Sequence, residues 1–287
     1  MIKYIPYRQI DKNRYDICIQ ESINSRVYAL SWYLDCVSEG WDLLVEGDYE
    51  SVMPLPRKVK YGISYIFTPS WVQQLGVFSK QKLSENKVLE FIGAIPNKFL
   101  WIDYQLNADN QISLKSSSSK LNYVLSLQGE HTDIQQGYNK NRKRISSKTP
   151  EGLYLDKKGD ADVFIENYKK LNKPYSISDL AVIQLRCLCH ANNKHVHVWN
   201  VFNEGIFRGG LVWLSDARRI TYLVPVSDEK ARQLHIPTFI INELIRDFQA
   251  QDIILDFEGS MISGVEKFYQ SFGAQPESYV YLKKRII

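Results

Sequence analysis

The sequence predicts an α+β (mixed α/β) fold built from two copies of one unit. Three observations carry that expectation. Short runs alternate with a strand period: in 196–202, Val196, Val198 and, after a slip, Val201 fall on one face. Amphipathic helices stand between such runs. Phe239, Ile240, Leu244, Ile245 and Phe248 share one side of a helix whose other side carries Glu243, Arg246 and Asp247. The order of these elements also recurs at long period.

The first copy has strands over 41–45 and 51–55, joined by turn chemistry at Glu46, Gly47 and Asp48. A third strand covers 63–67, then come a loop, a helix over 85–95 and a strand over 99–104. The second copy has strands over 196–202 and 209–214 joined at Asn203, Glu204 and Gly205. A third strand covers 219–224, followed by a loop, a helix over 238–249 and a strand over 253–257. Pro237 suits the first turn of that helix, where its missing N–H has no partner to lose. Ser64 and Thr221 lie 157 positions apart, and Asp103 and Asp256 lie 153 apart. Between the copies, 107–120 with its serine run 116–119 reads as a flexible loop. A strand over 123–127, a polar helix over 132–148, a strand over 153–155 and helices over 160–172 and 179–190 follow. Val163, Phe164, Tyr168 and Leu171 share a face of the first of these last two helices. The expected domains are 1–127 and 128–287.

Composition narrows the function classes. The 287 residues are 44% hydrophobic and 24% charged, an ordinary globular balance. A net charge of +4 is too small to mark a dedicated nucleic-acid binder. No apolar run approaches the ~18 residues of a membrane span, and residues 1–8 lack the apolar segment of a secretory signal. Cys18, Cys36, Cys187 and Cys189 are too few and too scattered for a disulfide framework, so a cytoplasmic location is expected. Cys187, Cys189, His190, His195 and His197 do not have zinc-ligand spacing, and no metal is expected. The aromatic fraction is high, 13%. Part of it falls with Gln in expected loops of the first half, at Trp32, Tyr33, Trp71, Gln73 and Gln74. Large apolar groups in loops either pack or bind, and these five are candidate substrate contacts. Lys140, Arg142, Lys143, Arg144 and Lys148 form the densest positive patch, read either as a phosphate site or as a solvated helix face.

The most informative stretch is 256–274. A strand ends at Asp256, Phe257, Glu258 and Gly259, and a helix follows with Val265, Phe268, Tyr269 and Phe272 on one stripe. Gly273 supplies its stop. Asp256-Phe-Glu-Gly-Ser260, then Gly264-Val265 with Phe268, then Phe272-Gly-Ala274, resembles the C-terminal signature of FemAB-like acyltransferases, which are tandem members of the GNAT (Gcn5-related N-acetyltransferase) superfamily. Tyr269-x-x-x-Gly273 is similar to the Tyr-x-x-x-Gly-Phe motif of ordinary GNAT enzymes, with Ala274 in place of Phe.

The resemblance implies two tandem GNAT-like domains, each a mixed, mostly antiparallel sheet with flanking helices. It implies direct attack of an amine on an acyl donor held where the sheet of the second domain splays. The first copy is expected to be degenerate and without a donor site, and the acceptor is expected between the copies. By matching position, Tyr269 is the acid for the leaving thiolate, and Asp256 or Glu258 is the base. Val224, Val226, Lys230, Arg232 and Thr238 are expected at the donor. Arg142 and Trp213 join the first-half aromatics at the acceptor. The donor is acetyl-CoA or another acyl-CoA; the alternatives are an aminoacyl-tRNA, as in FemAB-type transferases, or a non-catalytic binding protein retaining the fold. The acceptor is a small-molecule or peptide amine, tRNA is the one nucleic acid considered, and the chain is a monomer or homodimer. One departure stands out. The glycine-rich GNAT pyrophosphate loop, Gln/Arg-x-x-Gly-x-Gly/Ala, is replaced by 229–237, which contains no glycine.

Overall fold

The computed structural model describes residues 1–171, 177–191, 194–259 and 263–285. In chain order its elements are β1 (Ile2–Ile5), α1 (Lys12–Glu21), α2 (Ser31–Val37), β2 (Trp41–Glu46), β3 (Ser51–Lys60), β4 (Ile63–Phe67), β5 (Phe78–Ser79), α3 (Glu85–Gly93), β6 (Phe99–Gln105) and β7 (Ser117–Ser126). There follow α4 (His131–Gln136), α5 (Lys140–Ser146), β8 (Leu153–Asp156), α6 (Ala161–Leu171), α7 (Asp179–Ala191), β9 (Val196–Asn203), β10 (Ile206–Ser215) and β11 (Arg219–Ser227). The chain ends with α8 (Glu229–Gln233), α9 (Ile236–Phe248), β12 (Ile254–Asp256), α10 (Ser263–Gln270) and β13 (Gln275–Arg285).

These elements fall into two compact units. Unit 1 takes Met1–Leu121 and the terminal strand from Glu277, and unit 2 takes Asn122–Pro276. The division expected after residue 127 therefore lies slightly earlier. The last strand, expected in the second half, goes with unit 1, because β13 pairs antiparallel with β6, Leu282 opposite Tyr104.

Within unit 1 the strand order is β1-β2-β3-β4-β6-β13, and every pair is antiparallel except β4 with β6. Within unit 2 the order is β8-β9-β10-β11-β12-β7, with β11 and β12 the one parallel pair. The two units thus share one pattern: an antiparallel meander, a helical crossover, a parallel strand and a closing antiparallel strand. Each unit has a hairpin that turns through two left-handed residues, Tyr61-Gly62 between β3 and β4 and Glu204-Gly205 between β9 and β10. Positive φ at both central positions matches the right-handed twist of the flanking strands.

The core of unit 2 forms on the face of β9–β12 that α9 covers. Ile236, Ile240, Ile241, Leu244 and Ile245 are buried there against Leu211, Ile220, Leu255 and Phe257. In α6 the buried stripe is Phe164, Ile165 and Tyr168, while Val163 and Leu171, expected beside them, stand exposed. The serine run 116–119 is not a loop throughout, since Ser117 already opens β7. The basic helix expected over 132–148 breaks into α4 and α5. Gly137 ends α4, and an added Cβ on Gly273 would lie 3.0 Å from the Gly137 carbonyl oxygen. That close approach needs glycine at Gly273, whose φ is +81°. Asn139 then caps α5 by accepting the Arg142 N–H at 2.8 Å.

Candidate functional site

The site of unit 2 begins as a failure of strand pairing. β11 and β12 pair only at Arg219–Ile254, Ile220–Leu255 and Thr221–Asp256. β12 then ends, while β11 continues to Ser227. A bulge sets Tyr222 and Leu223 opposite Trp213 and turns β11 further. Pro225 occupies this stretch because the edge that faced β12 no longer needs a ladder of N–H donors.

The gap opens into a cavity of about 550 Å³. Tyr222, Val226 and Ser227 of β11 form one wall, with Gly210 of β10 beside them. The start of α9 supplies His235, Pro237, Thr238 and Ile240; α5 supplies Asn141, Arg142 and Ile145; α10 supplies Gly264, Val265, Phe268 and Tyr269. Close packing of β10 keeps this space open. A Cβ on Gly209 would lie 2.7 Å from the Val226 carbonyl oxygen, and one on Gly210 would lie 2.5 Å from the Trp199 carbonyl oxygen.

Tyr269 is 7% exposed. Its ring stacks on Phe257 at 4.8 Å and meets Tyr222 edge-on at 6.2 Å. Its hydroxyl has no hydrogen-bond partner among the described residues, and burial, with Glu258 and Asp256 nearby, holds its pKa well above the ordinary phenol value. It is a protonated phenol on the cavity wall.

Arg142 is also 7% exposed. Its Nε donates to Ser271 Oγ at 2.9 Å, and Nη1 donates to Thr238 Oγ1. The guanidinium lies 4.6 Å from the ring centroids of both Phe268 and Phe272. No carboxylate pairs with it among the described residues. Desolvation pushes its pKa down to about 10, which still leaves it charged near neutrality. Thr238 stands in the first turn of α9, so a buried cation and the positive end of a helix dipole meet on one wall. His235 just before it is left-handed, with φ +57°.

Of the residues picked from sequence, Tyr269, Val226, Arg232, Thr238 and Arg142 line this one cavity. Arg142 was expected at an acceptor; it stands instead beside Thr238. Val224 and Lys230 are not on the wall. Asp256 is not on it either: it is 1% exposed, holds Arg219 Nη1 at 2.5 Å and accepts the Glu258 N–H at 2.8 Å. Its carboxylate is thereby fixed as a brace at the root of the gap. Glu258 is left-handed, φ +57°, at the mouth of the loop after β12, and it too is off the wall. Trp213 stacks on His197 at 3.9 Å and meets Phe248, at the far end of α9 from the cavity.

Of the first-half candidates, Tyr33, Gln73 and Gln74 are buried, and Trp32 and Trp71 are half-buried. Tyr33 is fully buried and donates to the Trp71 carbonyl. Gln74 is fully buried, donating to Gln73 Oε1 at 2.8 Å and accepting from the Ala108 N–H at 2.9 Å. Trp32 meets Tyr33 edge-on at 5.4 Å. Sequence reasoning missed Tyr222 and His235 on the cavity wall. The bulge disrupts the period-2 pattern that would have shown Tyr222, and a left-handed histidine has no sequence signature.

No family model matches the sequence, and no curated protein matches it. Solved structures do. The crystal structure of FemX matches with a TM-score of 0.70 at 11% identity, over 98% of this chain and 97% of FemX. A tandem GNAT protein from the clavulanic acid biosynthesis pathway matches with a TM-score of 0.56 at 9% identity, over 100% of this chain and 99% of that one. L-PGS from Bacillus licheniformis matches with a TM-score of 0.56 at 9% identity, over 96% of this chain and 92% of that one. The chain therefore has the FemAB-like tandem GNAT fold. No helix among the described residues is long and apolar enough to cross a membrane.

Proposed function

We propose that this protein transfers an acyl or aminoacyl group to an amine, with the donor held in the cavity of unit 2. The observation that carries the reading is the open edge of β11 beside a buried, unpartnered phenol. Past Thr221 the strand has no partner on the side that faced β12, and apart from Pro225, which has no N–H, its free backbone groups there can meet the amide arm of a CoA-type thioester. Arg142, Arg232 and the first turn of α9 supply positive charge for its phosphates. The acceptor's nitrogen lone pair attacks the thioester carbonyl carbon, the C–S bond breaks, and the leaving sulfur takes the Tyr269 proton. Glu258 accepts the proton released from the amine; Asp256, held by Arg219, is the weaker choice of base. Burial suits Tyr269 to the acid role because it keeps the proton on the phenol until the sulfur draws it.

Thermal unfolding with free CoA, acetyl-CoA and longer acyl-CoAs tests the donor. A ligand at about 100 times its Kd adds ~2.7 kcal/mol. Failure of every CoA species to raise the Tm overturns the CoA donor. A second reading, an aminoacyl-tRNA donor, draws on the exposed Lys140, Lys143, Arg144 and Lys148 around α5. It requires RNA affinity that falls steeply with salt and drops when these four are neutralised.

A further inference from the structure

The charge distribution inside the cavity restricts the acyl group as well as the carrier. Its cationic side is built by Arg142, Arg232 and the start of α9, with Arg142 buried and lacking a carboxylate. Its other side, Tyr222, Val226, Ile240, Val265 and Phe268, is mostly apolar, with neutral phenol hydroxyls on Tyr222 and Tyr269. Among the described residues no Asp or Glu lines it. The carboxylates whose charge reaches Tyr269 are Glu258, which is off the wall, and Asp256, which Arg219 holds at 2.5 Å.

An aminoacyl group carries an ammonium next to the carbonyl that must be attacked. In this cavity that ammonium loses water, finds no carboxylate on the wall among the described residues, competes with the acceptor amine for Glu258 beyond it, and shares the space with a buried guanidinium. Both effects oppose it, since an uncompensated buried charge is costly and like charges raise the cost further. An uncharged aliphatic acyl group loses nothing on entering and covers the apolar wall.

Resting on the proposed function, we infer that the cavity selects a donor whose carrier is phosphorylated and whose acyl group is uncharged, and that it refuses ammonium-bearing acyl groups. The selection is set by the absence of a carboxylate on the wall, not by cavity size.

Butyryl-CoA and β-alanyl-CoA make the test, because they differ only by a terminal methyl against a terminal ammonium. Calorimetry on the full chain is expected to show butyryl-CoA binding at least about tenfold more tightly. Equal affinity, or preference for β-alanyl-CoA, overturns the inference. Val265→Glu, which adds a carboxylate to the apolar wall, is expected to narrow or reverse the ratio, and Ile145→Glu repeats the test from α5. Arg142→Gln is expected to weaken both ligands and leave them closer in affinity. If no CoA species binds, the donor reading fails by itself. The charge rule is then decided by butyl diphosphate against 3-aminopropyl diphosphate, which contrast methyl with ammonium without CoA. The same tenfold preference for the butyl compound supports the rule, and its absence overturns it.

Discussion

The two units share a strand order and part company at the end of their parallel pair. In unit 2 the pairing of β11 and β12 stops at Thr221–Asp256 and the strands part. In unit 1 the corresponding pairing of β4 and β6 reaches Phe67–Asp103 and is then extended by other means. The Thr68 N–H donates to the Asp103 carbonyl at 2.9 Å, and Thr68 Oγ1 accepts from the Gln105 N–H at 2.8 Å. Farther along, Leu75 bonds to the Gln105 carbonyl at 2.9 Å, and the Asn107 N–H bonds to the Leu75 carbonyl at 2.7 Å. The gap that unit 2 leaves open is sutured in unit 1 by a loop returning along β6. A single topology therefore provides either a closed core or a cavity, depending on what the chain after the third strand of the meander hydrogen-bonds to.

Matched tyrosine substitutions give the largest contrast. Tyr269→Phe is expected to lower the transfer rate by roughly 10²–10⁴ while leaving stability and donor affinity nearly unchanged. Its hydroxyl satisfies no protein group among the described residues. Since its pKa is raised, the wild-type rate should show no loss from Tyr269 ionisation below pH ~10. Tyr104→Phe in unit 1 should do the reverse. Its hydroxyl donates to the Pro54 carbonyl at 2.5 Å and accepts from the Gly76 N–H at 3.2 Å, so removal costs ~1–3 kcal/mol and leaves the rate intact. Rate and urea denaturation measured on both variants decide it. Equal effects on rate would abolish the distinction between the units.

The next effect falls on the brace. Arg219→Ala leaves Asp256 buried and uncompensated where β11 and β12 part, and is expected to lose ~3–5 kcal/mol in urea denaturation. Arg219→Ala with Asp256→Asn should recover part of that loss, because the charge then goes with its partner. No recovery would mean that the residues act independently and do not brace the gap.

Much of this was legible in the sequence, and the exceptions have local causes. The hairpins were readable because Glu204-Gly205 and the turn after Glu46 carry their own chemistry. The helix over 236–248 was readable because its stripe repeats within one element. Assignment of 277–285 to unit 1 was not readable, because strand pairing is non-local and β13 meets β6 across more than 170 residues of sequence. The aromatic excess misled in the first half: Tyr33 and Gln74 close a core rather than line a pocket. Arg142 stood in a basic run that gave no sign which cation is buried. Within α5 a sign was present as helical spacing, since Arg142 lies three residues before the half-buried Ile145.

The smallest expected effects separate a glycine needed for space from one needed for backbone angle. Gly210→Ala places its Cβ 2.5 Å from the Trp199 carbonyl oxygen and 3.0 Å from the Phe164 ring. The Trp199 oxygen is backbone and cannot swing aside, so β9 and β10 must move apart by a few tenths of an ångström. The expected loss is ~1–3 kcal/mol, with a higher KM for the donor because the strand that moves is part of the cavity wall. Gly62→Ala in unit 1 has nothing within 4 Å of its Cβ but holds φ +76°. It should lose about 1 kcal/mol from the left-handed conformation alone, with KM unchanged. Thermal unfolding and donor KM on the two variants sharpen the comparison of the units. A raised KM in Gly62→Ala would show that the sutured copy also shapes the donor site, and an unchanged KM in Gly210→Ala would remove β10 from that site.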